Sequence, residues 1–110
     1  MLLGRHGEVM KTIWISDVLD GKHDGQKGEL KGWIKRSRGS NKIRFLVLRD
    51  STGSIQCVAK REAVGDVCFD DVKSALIESS IIVHGQANPD ERADGGYEVI
   101  ISEVEIVGPV

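Results

Sequence analysis

Apolar and polar residues alternate through the first half of this chain, and the spacing turns helical only once. Leu30, Gly32 and Ile34 alternate with Lys31, Trp33 and Lys35 in a stretch Leu30–Arg38, the two-residue period of a strand with one buried and one wet face. A glycine at position 32 of such a strand predicts a bulge or sharp bend. A second strand is expected over Lys42–Asp50, after Gly39-Ser40-Asn41, and a third over Ser54–Ala59, after the turn Ser51-Thr52-Gly53. In the second, Ile43, Phe45 and Val47 oppose Leu46 and Leu48, so alternation leaves open which set is inside. In the third, Ile55 and Cys57 face one way, Gln56 and Val58 the other.

After Gly65 the period changes. Phe69, Val72, Ala75 and Leu76 fall at helical spacing behind Asp70 and Asp71, which predicts a helix over Asp70–Glu78. Ser80–Gly85 then reads as a fourth strand, Asn88–Gly96 as an exposed hairpin loop and Tyr97–Val107 as a fifth strand. Upstream, Ile13-Trp14-Ile15 is a short strand or a lead-in packed on the rest, and Ser16–Leu19 a single helical turn closed by Gly21. Residues 1–12 form a loose leader in which Met10 is an alternative start. Three strands, a helix and two strands make an all-β, five-stranded Greek-key OB-fold barrel with one helix between strands 3 and 4, a single domain over residues 13–110. Barrels of this kind often bind oligonucleotides on the face of strands 2 and 3.

Charge sharpens the picture. The chain carries 15 Lys and Arg against 17 Asp and Glu, a net −2. The span Glu29–Arg61 alone holds Lys31, Lys35, Arg36, Arg38, Lys42, Arg44, Arg49, Lys60 and Arg61 against only Glu29 and Asp50. A positive meander in an otherwise acidic chain points to a polyanionic partner. Phe45 sits in it beside Arg44 and close to Arg36, Arg38 and Lys42, an aromatic surface for an unstacked base set in a field for its phosphates. The near-neutral total argues against indiscriminate duplex binding.

Other chemistry is thin. Cys57 and Cys68 have neither metal-ligand nor CxxC spacing, and Cys57 reads as a core thiol of a reducing, cytoplasmic setting. His6, His23 and His84 are too scattered for a metal site. Arg49-Asp50 reads as a structural ion pair or turn cap. No apolar run approaches the ~20 residues of a membrane span.

Taken together, GWIKRSRG (32–39), FLVLRDSTGSIQCV (45–58) and ESSIIVHGQANPDERADGGYEV (78–99) resemble the N-terminal anticodon-binding domain of class IIb aminoacyl-tRNA synthetases, above all the archaeal-type asparaginyl enzymes. The resemblance implies a tRNA anticodon loop as partner, with its central uracil held by Phe45, Gln56 and Arg38 and another anticodon base touched by Glu98. It also implies a class II catalytic domain, absent from this sequence, that uses ATP and magnesium within a homodimeric parent enzyme; this domain itself would need no cofactor. Three alternatives stand beside it: the same domain of an aspartyl enzyme, a free-standing single-strand-binding barrel, and a protein-interaction barrel.

Overall fold

The structure, a computed structural model, describes residues 11–108. Its strands are β1 (Lys27–Gly39), β2 (Ile43–Asp50), β3 (Gly53–Lys60), β4 (Ser80–Pro89) and β5 (Tyr97–Gly108). They close into a barrel in the order β1-β2-β3-β5-β4, with β4 returning to β1. All neighbours are antiparallel except β3 and β5, whose short parallel pairing runs Gln56–Val58 against Glu98–Ile100. This is the OB-fold architecture expected from the sequence.

β1 makes closure possible because it serves two partners. Its first half pairs with β4, its second with β2, and Trp33 lies in both registers. At the crossing the backbones nearly touch: a Cβ on Gly32 would lie 2.2 Å from the Arg49 carbonyl oxygen. Gly32 is therefore a close-approach residue. The bulge expected there falls instead at Lys35, where the register slips between Ile34 and Arg36.

Inside the barrel Leu30, Ile34, Leu46, Leu48, Ile55, Cys57, Val83, Val99 and Ile101 form one core. Burial pushes the Cys57 thiol pKa up to about 12, with the nearby Glu98 carboxylate adding to the shift, so this sulfur is an inert apolar filler. α1 (Ile15–Leu19) follows a lead-in whose Ile13 is buried and whose Trp14 is exposed. Buried Asp50 fastens it: one carboxylate oxygen accepts from the Ile15 amide at 3.0 Å, the other from the Thr52 amide and hydroxyl and the Gly53 amide. Arg49 turns away to Ser54, so Asp50 is a turn cap and not half of an ion pair. Lys11 and Thr12, the end of the segment read as a leader, run alongside Glu29; the rest of that segment lies outside the described residues.

The helix differs from expectation. A short α2 (Arg61–Val64) precedes α3, and α3 spans Asp66–Ser74 rather than Asp70–Glu78. Gly65, at φ +89°, separates the two helices. The chain leaves α3 at Ala75 in extended conformation so that the Glu78 amide can donate to the Ile34 carbonyl and feed β4. Leu76 lies in this exit and is exposed, whereas Phe69 and Val72 are fully buried against the barrel. The apolar spacing thus ran two residues, Ala75 and Leu76, past the helix. β4 in turn extends four residues beyond Gly85, leaving a shorter loop that ends in a 3-10 turn at Asp94–Gly96.

Candidate nucleic-acid interface

The bulge at Lys35 decides which way the arginines point. Leu30 and Ile34 face the core, and strict alternation from them would send Arg36 and Arg38 inward. Burying two guanidiniums in an apolar barrel is prohibitively costly. The extra residue flips the phase: past it Ser37 lies opposite buried Leu46, while Arg36 lies opposite Val47 and Arg38 opposite Phe45, on the outer wall.

From there two rows of side chains cross the wall, strand to strand at about 4.8 Å. The first is Arg36, Val47, Gln56 and Glu98; the second is Arg38, Phe45, Val58 and Ile100. Phe45 is half-buried on this wall and does not lie in the core cluster, which settles the question alternation left open. The Arg38 guanidinium rests over its ring, Cζ 5.2 Å from the centroid. Beside them opens a cleft of about 260 Å³, lined by Arg38, Val47 and Gln56 from the strands and by Arg92, Ala93 and Asp94 from the β4–β5 loop.

Arg92 and Asp94 were not among the residues singled out in the sequence. Arg92 is the single base of the stretch NPDERADGG, and its side chain is 93% exposed, with Nε 3.5 Å from Asp90. The Asp90 carboxylate also accepts from the Arg92 amide at 2.9 Å and so shapes the loop. A lone base in an acidic turn beside a basic meander was the available signal.

The remaining candidates part company. Lys42 stands at the end of the wall, where the Ser40 hydroxyl accepts from its amide. Arg44 lies on the other side of β2 from Phe45: it is level with buried Ala59, its Nη2 donates to Ser37 Oγ at 3.0 Å, and its Nε is buried without a partner. The structure therefore brings together Arg36, Arg38, Phe45, Gln56 and Glu98, keeps Lys42 at their edge and separates Arg44. Trp33 faces a different concavity with Ile82 and Val107. His84 lies between Glu29 at 3.2 Å and Glu103 at 3.5 Å, and among the described residues no three ligating side chains gather into a metal site. Nor is any described helix long and apolar enough to cross a membrane.

Comparison with known proteins identifies the family. Residues 29–107 match the family model for the OB-fold nucleic acid binding domain of the tRNA anticodon type. The chain is 44% identical over 87 residues to an asparagine–tRNA ligase of Koribacter versatilis, covering 79% of this chain and 20% of that protein. It is 40% identical over 102 residues to the asparagine–tRNA ligase of Pyrococcus furiosus, 93% of this chain and 23% of the relative. The crystal structure of asparaginyl-tRNA synthetase from Pyrococcus horikoshii complexed with asparaginyl-adenylate superposes with a TM-score of 0.84 at 36% identity, over 93% of this chain and 23% of the other. The chain thus spans about a fifth of the length of the curated relatives it matches.

Proposed function

Since the chain belongs to the OB-fold nucleic acid binding domain family of the tRNA anticodon type, we propose that its outer wall reads the anticodon loop of a tRNA on behalf of an asparagine–tRNA ligase. One observation carries this reading. Arg38, Phe45 and Gln56 come from three successive strands yet stand in adjacent cross-strand rows on one accessible wall, beside a cleft.

The chemistry follows from those three groups. An unstacked base lies on the face of Phe45 and gains about 1–3 kcal/mol from stacking. Arg38 already covers that ring, so the base either layers onto the guanidinium or takes its place, and the freed fork reaches a carbonyl or phosphate. Gln56 presents an amide donor and an amide acceptor. Uracil offers N3–H and a carbonyl in return; cytosine lacks that N–H and can pair only if the amide turns over, so an amide held in one orientation favours uracil. Glu98, level with Gln56, supplies an acceptor for a neighbouring base. Arg36 and Arg92 border the wall with positive charge for phosphates. In this reading the amino acid is attached by a class II catalytic domain elsewhere in a cytoplasmic, homodimeric parent, which holds the ATP and magnesium.

Titration of anticodon stem-loops with the central base permuted tests the proposal. The 110-residue chain binds the central-uracil loop best, weakly and with a steep salt dependence. Phe45→Ala weakens all central bases by about 1–3 kcal/mol, because every base can stack. Gln56→Ala leaves stacking intact and shrinks the discrimination against cytosine. If all four central bases bind alike to the unaltered chain, or Gln56→Ala leaves base preference untouched, the anticodon reading fails.

A further inference from the structure

Three Asp-Gly steps occur in this chain, at 20–21, 24–25 and 94–95. In each the aspartate is exposed and the glycine stands at positive φ, +80°, +72° and +79° in turn. Their amides differ. The Gly21 amide donates to the Val18 carbonyl at 3.0 Å, and the Gly25 amide to the Ala87 carbonyl at 2.8 Å. The Gly95 amide meets no acceptor among the described residues. Neither asparagine offers a comparable step: Asn88 precedes Pro89, which has no N–H, and Asn41 precedes Lys42, whose amide donates to the Ser40 hydroxyl.

An unengaged amide nitrogen following an exposed aspartate is a nucleophile next to an electrophile. Glycine has no Cβ to block the approach, and the backbone at a loop tip opens at little cost. The Gly95 nitrogen adds to Cγ of Asp94 and a C–N bond forms. One carboxyl oxygen leaves as water, carrying off the amide and carboxyl protons, and a succinimide remains. A water then opens the ring at either carbonyl. Opening at Cγ restores aspartate. Opening at the main-chain carbonyl leaves isoaspartate, in which the backbone runs through Cβ and Cγ and the free carboxylate sits on Cα.

We propose that Asp94-Gly95 is a self-modifying step that converts the β4–β5 loop to its isoaspartyl form, a substrate for carboxyl methylation, and so disarms the cleft beside Gln56. Asp94 lines that cleft with Arg38, Gln56 and Arg92. The extra chain atom breaks the turn in which the Gly96 amide donates to the Ala93 carbonyl at 2.9 Å, and carries Arg92 off the wall. The effect on RNA rests on the anticodon reading above; the modification does not.

The test ages the 110-residue chain in warm neutral buffer and digests it with trypsin, which puts the three steps in separate peptides, 12–22, 23–27 and 93–110. Each is resolved by chromatography and mass, and probed by methyl transfer from S-adenosylmethionine with a protein isoaspartate methyltransferase. Peptide 93–110 yields an isomer of unchanged mass that accepts methyl, and a precursor one water lighter. The other two lag by about three- to tenfold, the factor by which a backbone hydrogen bond holds its amide back. Asp94→Glu, which would have to close a larger ring, gives neither species. The aged chain loses affinity for the central-uracil stem-loop in proportion to its isoaspartate, while aged Asp94→Glu matches its own fresh sample. Equal or faster change at 20–21 or 24–25, or none at 94–95, overturns the site. Isoaspartate at position 94 with undiminished RNA affinity overturns its effect on the cleft. If the fresh chain shows no preference for uracil, the anticodon reading fails and the effect on RNA falls with it, while the peptides still decide the modification.

Discussion

Two phenylalanines in this barrel each lie beneath a guanidinium. Phe69, on α3, is fully buried, and Arg61 covers it with Cζ 4.3 Å from the ring centroid. Phe45, on β2, is half-buried, and Arg38 covers it at 5.2 Å. What separates them is what else each arginine holds. Arg61 donates to Asp66, Asp70 and the Asn41 carbonyl, and the Asp66 hydrogen bond above all pushes its pKa further up. It ties the β1–β2 loop to the helix pair and keeps few donors for anything else. Arg38 has no ion-pair partner among the described residues, so its donors and part of the ring beneath it remain available. The same pair of residue types is a structural clamp where its hydrogen bonds are satisfied internally, and an open, unclaimed surface where they are not.

Truncating the two rings separates these roles most sharply. Phe69→Ala empties a fully buried position and is expected to destabilise the fold by about 3–5 kcal/mol in urea unfolding. Phe45→Ala removes a ring that is only partly withdrawn from water, so the expected stability loss is about 1 kcal/mol, while RNA binding weakens as described above. Comparable stability losses from both would mean that Phe45 is a core residue, and the contrast would disappear.

The arginines give the next contrast. Arg61→Met keeps the stem over Phe69 and deletes every polar link, so the melting temperature should fall by less than Phe69→Ala causes, with RNA affinity unaffected apart from a mild loss at the Lys42 end. Arg38→Met should lower the melting temperature little and weaken RNA binding, since its guanidinium makes no ion pair among the described residues and only rests over Phe45. A stability loss for Arg38→Met equal to that of Arg61→Met would make both clamps.

The order of strands and the crowding of bases around Phe45 were legible because period, turns and charge all pointed one way; the outward position of Phe45 was not, because its strand is apolar on both faces. The limits were physical. Nothing local in KGWIKRSRG distinguishes a bulge at Gly32 from one at Lys35; the choice is made by the need to keep Arg36 and Arg38 out of the core, and that need appears only once Leu46 and Leu48 are known to face inward. With β2 in that phase Arg44 must leave the Phe45 side, which proximity in sequence concealed. The helix was misplaced by four residues because Leu76 continued an apolar spacing that belongs to a tertiary exit, held by the Glu78–Ile34 hydrogen bond. Arg92 reaches the cleft through the folding of a loop that hydrophobic periodicity does not describe.

The smallest expected effect lies on the wall formed by β1, β4 and β5, away from Phe45, and serves as the control for the comparison. There Glu29 accepts from the Thr12 hydroxyl at 2.9 Å, with His84 at 3.2 Å and Lys31 at 3.7 Å. The Thr12 hydrogen bond, aided by His84 and Lys31 against the opposing effect of burial, holds the Glu29 carboxyl below its usual pKa. A carboxylate whose pKa is lower folded than unfolded contributes stability above the unfolded value, and that contribution is lost as pH falls through the folded one. Thr12→Val removes the largest contribution to the shift. The variant should therefore unfold at a slightly lower urea concentration than the parent at neutral pH, and the gap should narrow at acid pH as the carboxyl is protonated through its lowered pKa. RNA affinity should not change, because Thr12 and Glu29 contribute to neither row of the wall that carries Phe45. A stability gap of equal size at both pH values would show that Thr12 acts through packing, and a drop in RNA affinity would show that the two walls are coupled through β1.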